Sequence, residues 1–165
     1  ALADAARAKG RLDRAMDWYG RAKRVYESIG AWEANIVRLN LALVMMFDDR
    51  FEDAHSEVLS CFDNFRTSGQ ESWIAVSYVF ALPGLANLGE WKQFGEYFGE
   101  AVDRLNRLQF ADADLARVFE IAGELASQNE ESRRADMCFE QAAQQWRTLD
   151  CPNEANAAAL RAGIN

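Results

Sequence analysis

Four stretches of this chain carry the same stripe of side chains, and that repetition constrains the fold more than any other feature. The clearest copy is GEWKQFGEYFGEAVDRL, Gly89 to Leu105, in which Trp91, Phe94, Phe98 and Ala101 fall on one helical face. Related stretches run from Gly10 (GRLDRAMDWYGRAKRVYESIG), from Asp49 (DRFEDAHSEVLSCFDNF) and from Glu131 (ESRRADMCFEQAAQQWRTL). They align on Ala15, Ala54, Phe94 and Ala135, which are 39, 40 and 41 residues apart. Four positions later stand Tyr19, Val58, Phe98 and Phe139, and seven positions later Ala22, Cys61, Ala101 and Ala142. A small residue, then a bulky one, then a small one lets two helices approach closely while rings fill the space beside the contact. Phe94 breaks that rule, so the helix facing it is expected to make room.

Each stripe is preceded by a second helical pattern. These are NIVRLNLALVMMF, SWIAVSYVFALPGLANL and DLARVFEIAGELAS, with ALADAARA as the last turns of a shortened first copy. SWIAVSYVF is the one short run rich in β-branched and aromatic residues; strand signals are otherwise nearly missing. The close-contact pairs are Leu2-Ala3, Leu41-Ala42, Ala81-Leu82 and Ala122-Gly123, followed by Ala6, Met45, Leu85 and Ala126. Gly10, Asp48-Asp49, Gly89 and residues 128–130 are the predicted turns inside the pairs, with Gly30 and Gly69 as left-handed helix stops between them. Pro152 is expected to stop the last long helix, with Asn153 capping a ninth. Pro83 within a helix predicts a kink or break near residues 80–84, because proline removes a backbone donor and clashes with the preceding turn. The reading is all-α: a right-handed superhelix of antiparallel helix pairs with about eight or nine helices. It forms a single repeat domain divided as 1–30, 31–69, 70–110, 111–151 and a terminal helix at 152–165.

Composition narrows the function. Half of the 165 residues are hydrophobic and only two are proline, so the chain can bury a core and has no low-complexity linker. No apolar run reaches the roughly 18 residues that a membrane-spanning helix needs, and no signal peptide is recognisable. The chain opens directly on helix-forming residues and reads as an excerpt of a longer protein. The net charge of −8 argues against a nucleic-acid ligand. That charge is uneven: residues 1–38 hold eight Lys/Arg against five Asp/Glu, and the rest hold ten against twenty-one. Cys61, Cys138 and Cys151 form no C-x-x-C and are odd in number, which fits reduced thiols in a cytoplasmic protein.

Catalytic signals are weak. His55 is the only histidine, at an outward position, and one histidine without a cysteine pair does not meet metal-ligand spacing. Asp48, Asp49, Glu52 and Asp53 cluster in a turn, but Arg50 and Phe51 stand where a calcium loop needs oxygen ligands and a central glycine. Glu120 and Glu124 share a face with Arg117, which reads as a charged helix surface before it reads as an acid–base pair. Phosphate-loop, nucleophile-elbow and dinucleotide motifs are missing. The expectation is no enzyme, no cofactor and no metal.

The A-x3-(Y/F) and A-x6-A spacing, opened by a Leu/Ala-Ala/Gly pair, resembles the tetratricopeptide repeat, and LNLALVMMFDDRFEDA is similar to that family's core. The unit is longer than the usual ~34 residues, with the extra residues assigned to the second helix, as in the long repeats of kinesin light chains. Several segments also resemble the C-terminal repeat arrays of bacterial signalling kinases and regulatory ATPases. The resemblance implies a protein-interaction module within a larger cytoplasmic signalling protein, recruiting a peptide or partner domain through a concave wall of first helices. Repeat register places Ile36, Leu39, Leu43, Met46, Phe47, Val79, Pro83, Asn87, Arg117, Glu120 and Glu124 on that wall. The groove would be apolar in the middle and charged at one end, which disfavours the family's basic clamp for chaperone tails. The alternative is a structural array that couples a catalytic domain to regulation or self-association, with these residues serving as core. The partner is expected to be protein, with no nucleic acid and no membrane.

Overall fold

A computed structural model describes residues 1–163, and they are all-α, with nine helices and no strand among them. The helices are α1 (Leu2–Ala8), α2 (Leu12–Ser28), α3 (Glu33–Phe47), α4 (Phe51–Ser68), α5 (Glu71–Leu88), α6 (Trp91–Leu108), α7 (Ala113–Gln128), α8 (Ser132–Thr148) and α9 (Pro152–Arg161). The chain divides into two compact units, Ala1–Gln70 and Glu71–Asn165. The division falls one residue past the predicted repeat boundary at 69/70. The first unit packs α1 on α2, α2 on α3 and α3 on α4; the second packs α5 on α6, α5 on α7, α7 on α8 and α8 on α9.

The stripe that aligned the sequence is a structural register. Ala15, Ala54, Phe94 and Ala135 are each the fourth residue of their helix, and all four are buried. Tyr19, Val58, Phe98 and Phe139 are buried one turn on, and Cys61, Ala101 and Ala142 a turn beyond; Ala22 is only half-buried. In the first unit Ala15 and Tyr19 pack with Ala3, Ala6, Leu41 and Val44. In the second, Ala135 and Phe139 pack with Ala126 and Ala162. Helices α7 and α8 approach closely at Gly123, where a β-carbon would lie 2.8 to 3.0 Å from the Phe139 ring.

One turn recurs inside every hairpin. The Arg11 N–H donates to the Ala6 carbonyl, Arg50 to Met45, Glu90 to Leu85 and Glu131 to Ala126, each at 2.9 Å. The residue before each donor is left-handed: Gly10, Asp49, Gly89 and Glu130, with φ of 66, 58, 72 and 62°. This is the Schellman arrangement, which satisfies carbonyls the helix end leaves open. Gly30 and Gly69 take the same conformation between hairpins, as predicted, and so do Gln109 and Asp150.

Three local expectations are corrected. α5 runs unbroken through Pro83, and SWIAVSYVF lies within it. The β-prone run is helical because six of its nine residues are buried against neighbouring helices, and such context overrides propensity. Pro152 does not stop α8; that helix ends at Thr148, followed by left-handed Asp150. Instead Pro152 is the first residue of α9, where its fixed φ and missing donor cost nothing, so the N-cap is Cys151 rather than Asn153. The extra length of the repeat is shared by both helices of a pair: α3, α5 and α7 have 15, 18 and 16 residues, and α4, α6 and α8 have 18, 18 and 17.

Candidate protein-interaction site

The predicted recognition wall is mostly interior. Leu39, Leu43, Met46 and Val79 are at most 2 % exposed, and Pro83 is buried with them. Ile36, Phe47 and Glu120 are half-buried, and only Asn87, Arg117 and Glu124 are exposed. A partner cannot reach side chains that water does not reach, so the apolar middle of the wall is core. The reason lies in the first helices themselves. From Ile74 to Ala86 in α5, only Tyr78 escapes full burial, and a helix that is apolar all round is covered all round.

The charged end of the wall is brought together, but its groups serve one another. The Trp146 Nε1–H donates to Glu120 Oε1 at 2.9 Å, and the Arg117 guanidinium lies 5.2 Å above the Trp146 ring and 3.4 Å from Glu120. Arg161 of α9 donates to Glu124 Oε1 at 2.8 Å and covers the Phe139 ring at 4.1 Å. Glu120 and Glu124 therefore hold α7 to α8 and α9. Each carboxylate has its own partner.

A second polar cluster lies in the first unit, where Glu57 of α4 accepts from Lys23 at 2.5 Å and from Arg38 at 2.8 Å. Arg38 also donates to Glu27. Beside it, Asn64 donates to Asn35 Oδ1 at 2.9 Å, on the wall of a cleft of about 540 Å³ that Trp32, Arg38 and Thr67 also line. His55 is half-buried on α4. Burial pushes the Cys61 thiol up to about 12 and raises that of Cys138 as well, which leaves both poor nucleophiles at neutral pH. Among the described residues no group of three or more His, Cys, Asp or Glu side chains is placed to hold a metal ion.

An apolar cleft lies between α6 and α8. Phe94, Gly95, Phe98, Arg133, Arg134 and Met137 line a cleft of about 290 Å³. Its floor is aromatic. Phe94 stacks on Phe98 with ring centres 6.4 Å apart, meets Trp91 edge-on at 5.7 Å, and Phe98 continues edge-on to Phe119 at 6.0 Å. Gly95 leaves open space above the floor. At the rim, Arg133 and Met137 are exposed, while Arg134 lies over the Trp91 ring at 5.7 Å and pairs with Glu131. Reading the first helices as the site missed this cleft. Its signal in the sequence was Phe94, the one bulky residue at the position where the other repeats have alanine.

No helix among the described residues is long and apolar enough to cross a membrane. No family model matches the chain, and no curated protein matches its sequence. Among solved structures, the chain is similar to the crystal structure of BtubC (BKLC) from P. vanneervenii, with a TM-score of 0.62 and 17 % identity over 98 % of this chain and 76 % of that one. At that identity the likeness concerns the fold alone, and the fold it supports is the all-helical one described above.

Proposed function

We propose that the chain is a non-catalytic protein-interaction module of the tetratricopeptide type, part of a larger cytoplasmic signalling protein, that binds a peptide or partner domain. The observation that carries this reading is the α6–α8 cleft: open space at Gly95, an exposed methionine, Met137, at its edge and arginines at its rim. Apolar pockets with a few polar groups at the margin are the common form of a recognition site, and methionine adapts to varied partners. The ligand that fits is a peptide placing one apolar side chain against Gly95 and Met137 beside an acidic residue that meets Arg133. A departure from a repeat's own packing rule is where function is expected to sit. Three thiols without a disulfide partner are compatible with a reducing compartment.

A displayed random-peptide library panned on the purified chain tests this reading. Enriched sequences should pair an apolar residue with Asp or Glu. Gly95→Leu, which fills open space above the floor, and Met137→Glu should each weaken their binding at least tenfold. No enrichment, or binding that neither change affects, would overturn the proposal.

The second reading, a structural or regulatory array, is favoured by the burial of Leu43 and Met46, which makes the predicted wall part of the core.

A further inference from the structure

α6 and α8 line a second cleft besides the one near their N-terminal ends. Asn106 and Gln109, at the end of α6, and Gln141, Gln144 and Gln145 of α8 surround a space of about 80 Å³. Helical register connects the two clefts. On α6, Gly95 lines the first and Asn106 the second, and Gly99 and Val102 stand between them on the same stripe. On α8 the corresponding stripe is Met137, Gln141, Gln144 and Thr148. One furrow therefore runs along both helices, apolar at the Met137 end and rich in side-chain amides at the other.

The amides at that end are set but not used up. Gln145 is 5 % exposed, and its Oε1 accepts from the Asp112 N–H at 3.0 Å. Its Nε2 has no hydrogen-bond partner among the described residues, so the bond at Oε1 holds a free donor on the cleft wall. The side chains of Asn106, Gln141 and Gln144 likewise make no hydrogen bond among the described residues. A side-chain amide offers a donor and an acceptor side by side, the pair that a peptide group needs. Two glycines add to this. Glycine within a helix weakens it relative to alanine, yet a β-carbon at Gly95 or Gly99 would meet nothing within 4 Å. The packing of α6 does not require either glycine. What both permit is the close approach of another backbone along the furrow.

We infer that the furrow takes an extended peptide segment, bound through its main chain at the amide end and through one apolar side chain at the Met137 end. Such a ligand presupposes that the cleft is a peptide site, and the furrow adds its conformation and length. Gly95 and Asn106 are eleven positions apart on α6. That is about 16 Å of helix, which an extended chain covers in about five residues. A helical ligand would satisfy its own main-chain groups and leave the amides of Asn106, Gln141 and Gln144 nothing to bind. An extended one presents free N–H and C=O groups to them, as a strand does when it adds to a sheet edge.

Fluorescence anisotropy with the tightest peptide enriched by panning, titrated with the 165-residue chain, tests the inference. Methylating the peptide's backbone nitrogens one at a time removes a main-chain donor and leaves each side chain in place. Binding should weaken at least tenfold for a nitrogen about three to five residues from the apolar anchor. α-Aminoisobutyric acid, which favours helix, should weaken binding at the same positions. On the protein, Gln144→Ala should weaken binding several-fold. Gln145→Glu, which keeps the acceptor for Asp112 and removes the free donor, should do the same, and Gly99→Leu, which obstructs the furrow, should cost at least tenfold. Unchanged helical circular dichroism confirms the fold of each variant; where one is disturbed, the peptide series decides, since it leaves the protein untouched. Binding that is lost in Gly95→Leu and Met137→Glu but indifferent to backbone methylation and to Gly99→Leu overturns the extended ligand and leaves the cleft as a peptide site. Tighter binding with α-aminoisobutyric acid overturns it in the same way. A panning that enriches nothing overturns the peptide site, and the extended ligand with it.

Discussion

α5 and α6 are the two arms of one hairpin, each 18 residues long, joined by left-handed Gly89 and Glu90, yet they solve burial in opposite ways. α6 hides a single stripe, Phe94, Phe98, Ala101 and Leu105, and turns Glu96, Gly99 and Asp103 to solvent. α5 hides every side from Ile74 to Ala86 save at Tyr78. The first kind of helix announces its buried face by period; the second carries no period because it has no free face. The contrast teaches that α6 lies in the outer layer of its unit and α5 in that unit's interior. A recognition surface sought on the first helices was therefore sought in the core.

The comparison breaks most readily at a buried charge. Val79→Glu in α5 and Leu43→Glu in α3 each place a carboxylate where no water reaches, at a cost of several kcal/mol. Each should abolish cooperative thermal unfolding as followed by circular dichroism. Glu96→Gln on the outer face of α6 should shift stability by less than about 0.5 kcal/mol. A folded Leu43→Glu variant with unchanged melting would return the predicted wall to the surface.

Within the outer layer, Phe94→Ala should cost about 3–5 kcal/mol in urea unfolding, since its ring is 1 % exposed and holds Trp91 and Phe98 in place. Restoring the repeat's own alanine would thus destabilise the protein, showing that the neighbouring side chains are fitted to the ring. A gain in stability would mean that they are not.

Gly123→Ala should cost about 1–3 kcal/mol, because the new methyl would meet the Phe139 ring at 2.8 Å. Combined with Phe139→Leu, the two losses should add to less than their sum, and a double-mutant cycle measures the coupling. Full additivity would place the strain elsewhere.

A further effect is a pH dependence. The folded protein raises the Cys61 thiol from 9.0 to about 12 through burial, and Cys138 also moves upward. A thiol held neutral by the fold contributes its stability fully below the unfolded value near 9. That contribution is lost as pH rises toward the folded value. Melting temperature should therefore fall between pH 9 and 12, and less steeply in Cys61→Ala. At neutral pH a thiol reagent should label Cys151, which is partly exposed, well before the other two.

How much was legible depends on where each signal is stored. The register of Ala15, Ala54, Phe94 and Ala135 was legible because each stripe is written at helical spacing along one helix and recurs about every forty residues. The turns were legible at Gly10 and Gly89 but less so at Glu130 and Asp150. There the helix-end hydrogen bonds impose a left-handed residue, and the side chain merely tolerates it. The α6–α8 cleft was not legible as a site, since Phe94 and Met137 are 43 positions apart and only packing sets them side by side.

The sequence by itself determined that this protein is built of helix pairs in a forty-residue register, because helical period and the alternation of small and bulky residues are local and repeat four times. Only the tertiary structure decided which of those helices are sealed on every side and where an accessible cleft remains. Burial is a sum over neighbours contributed by several elements at once, and no spacing along a single helix encodes that sum.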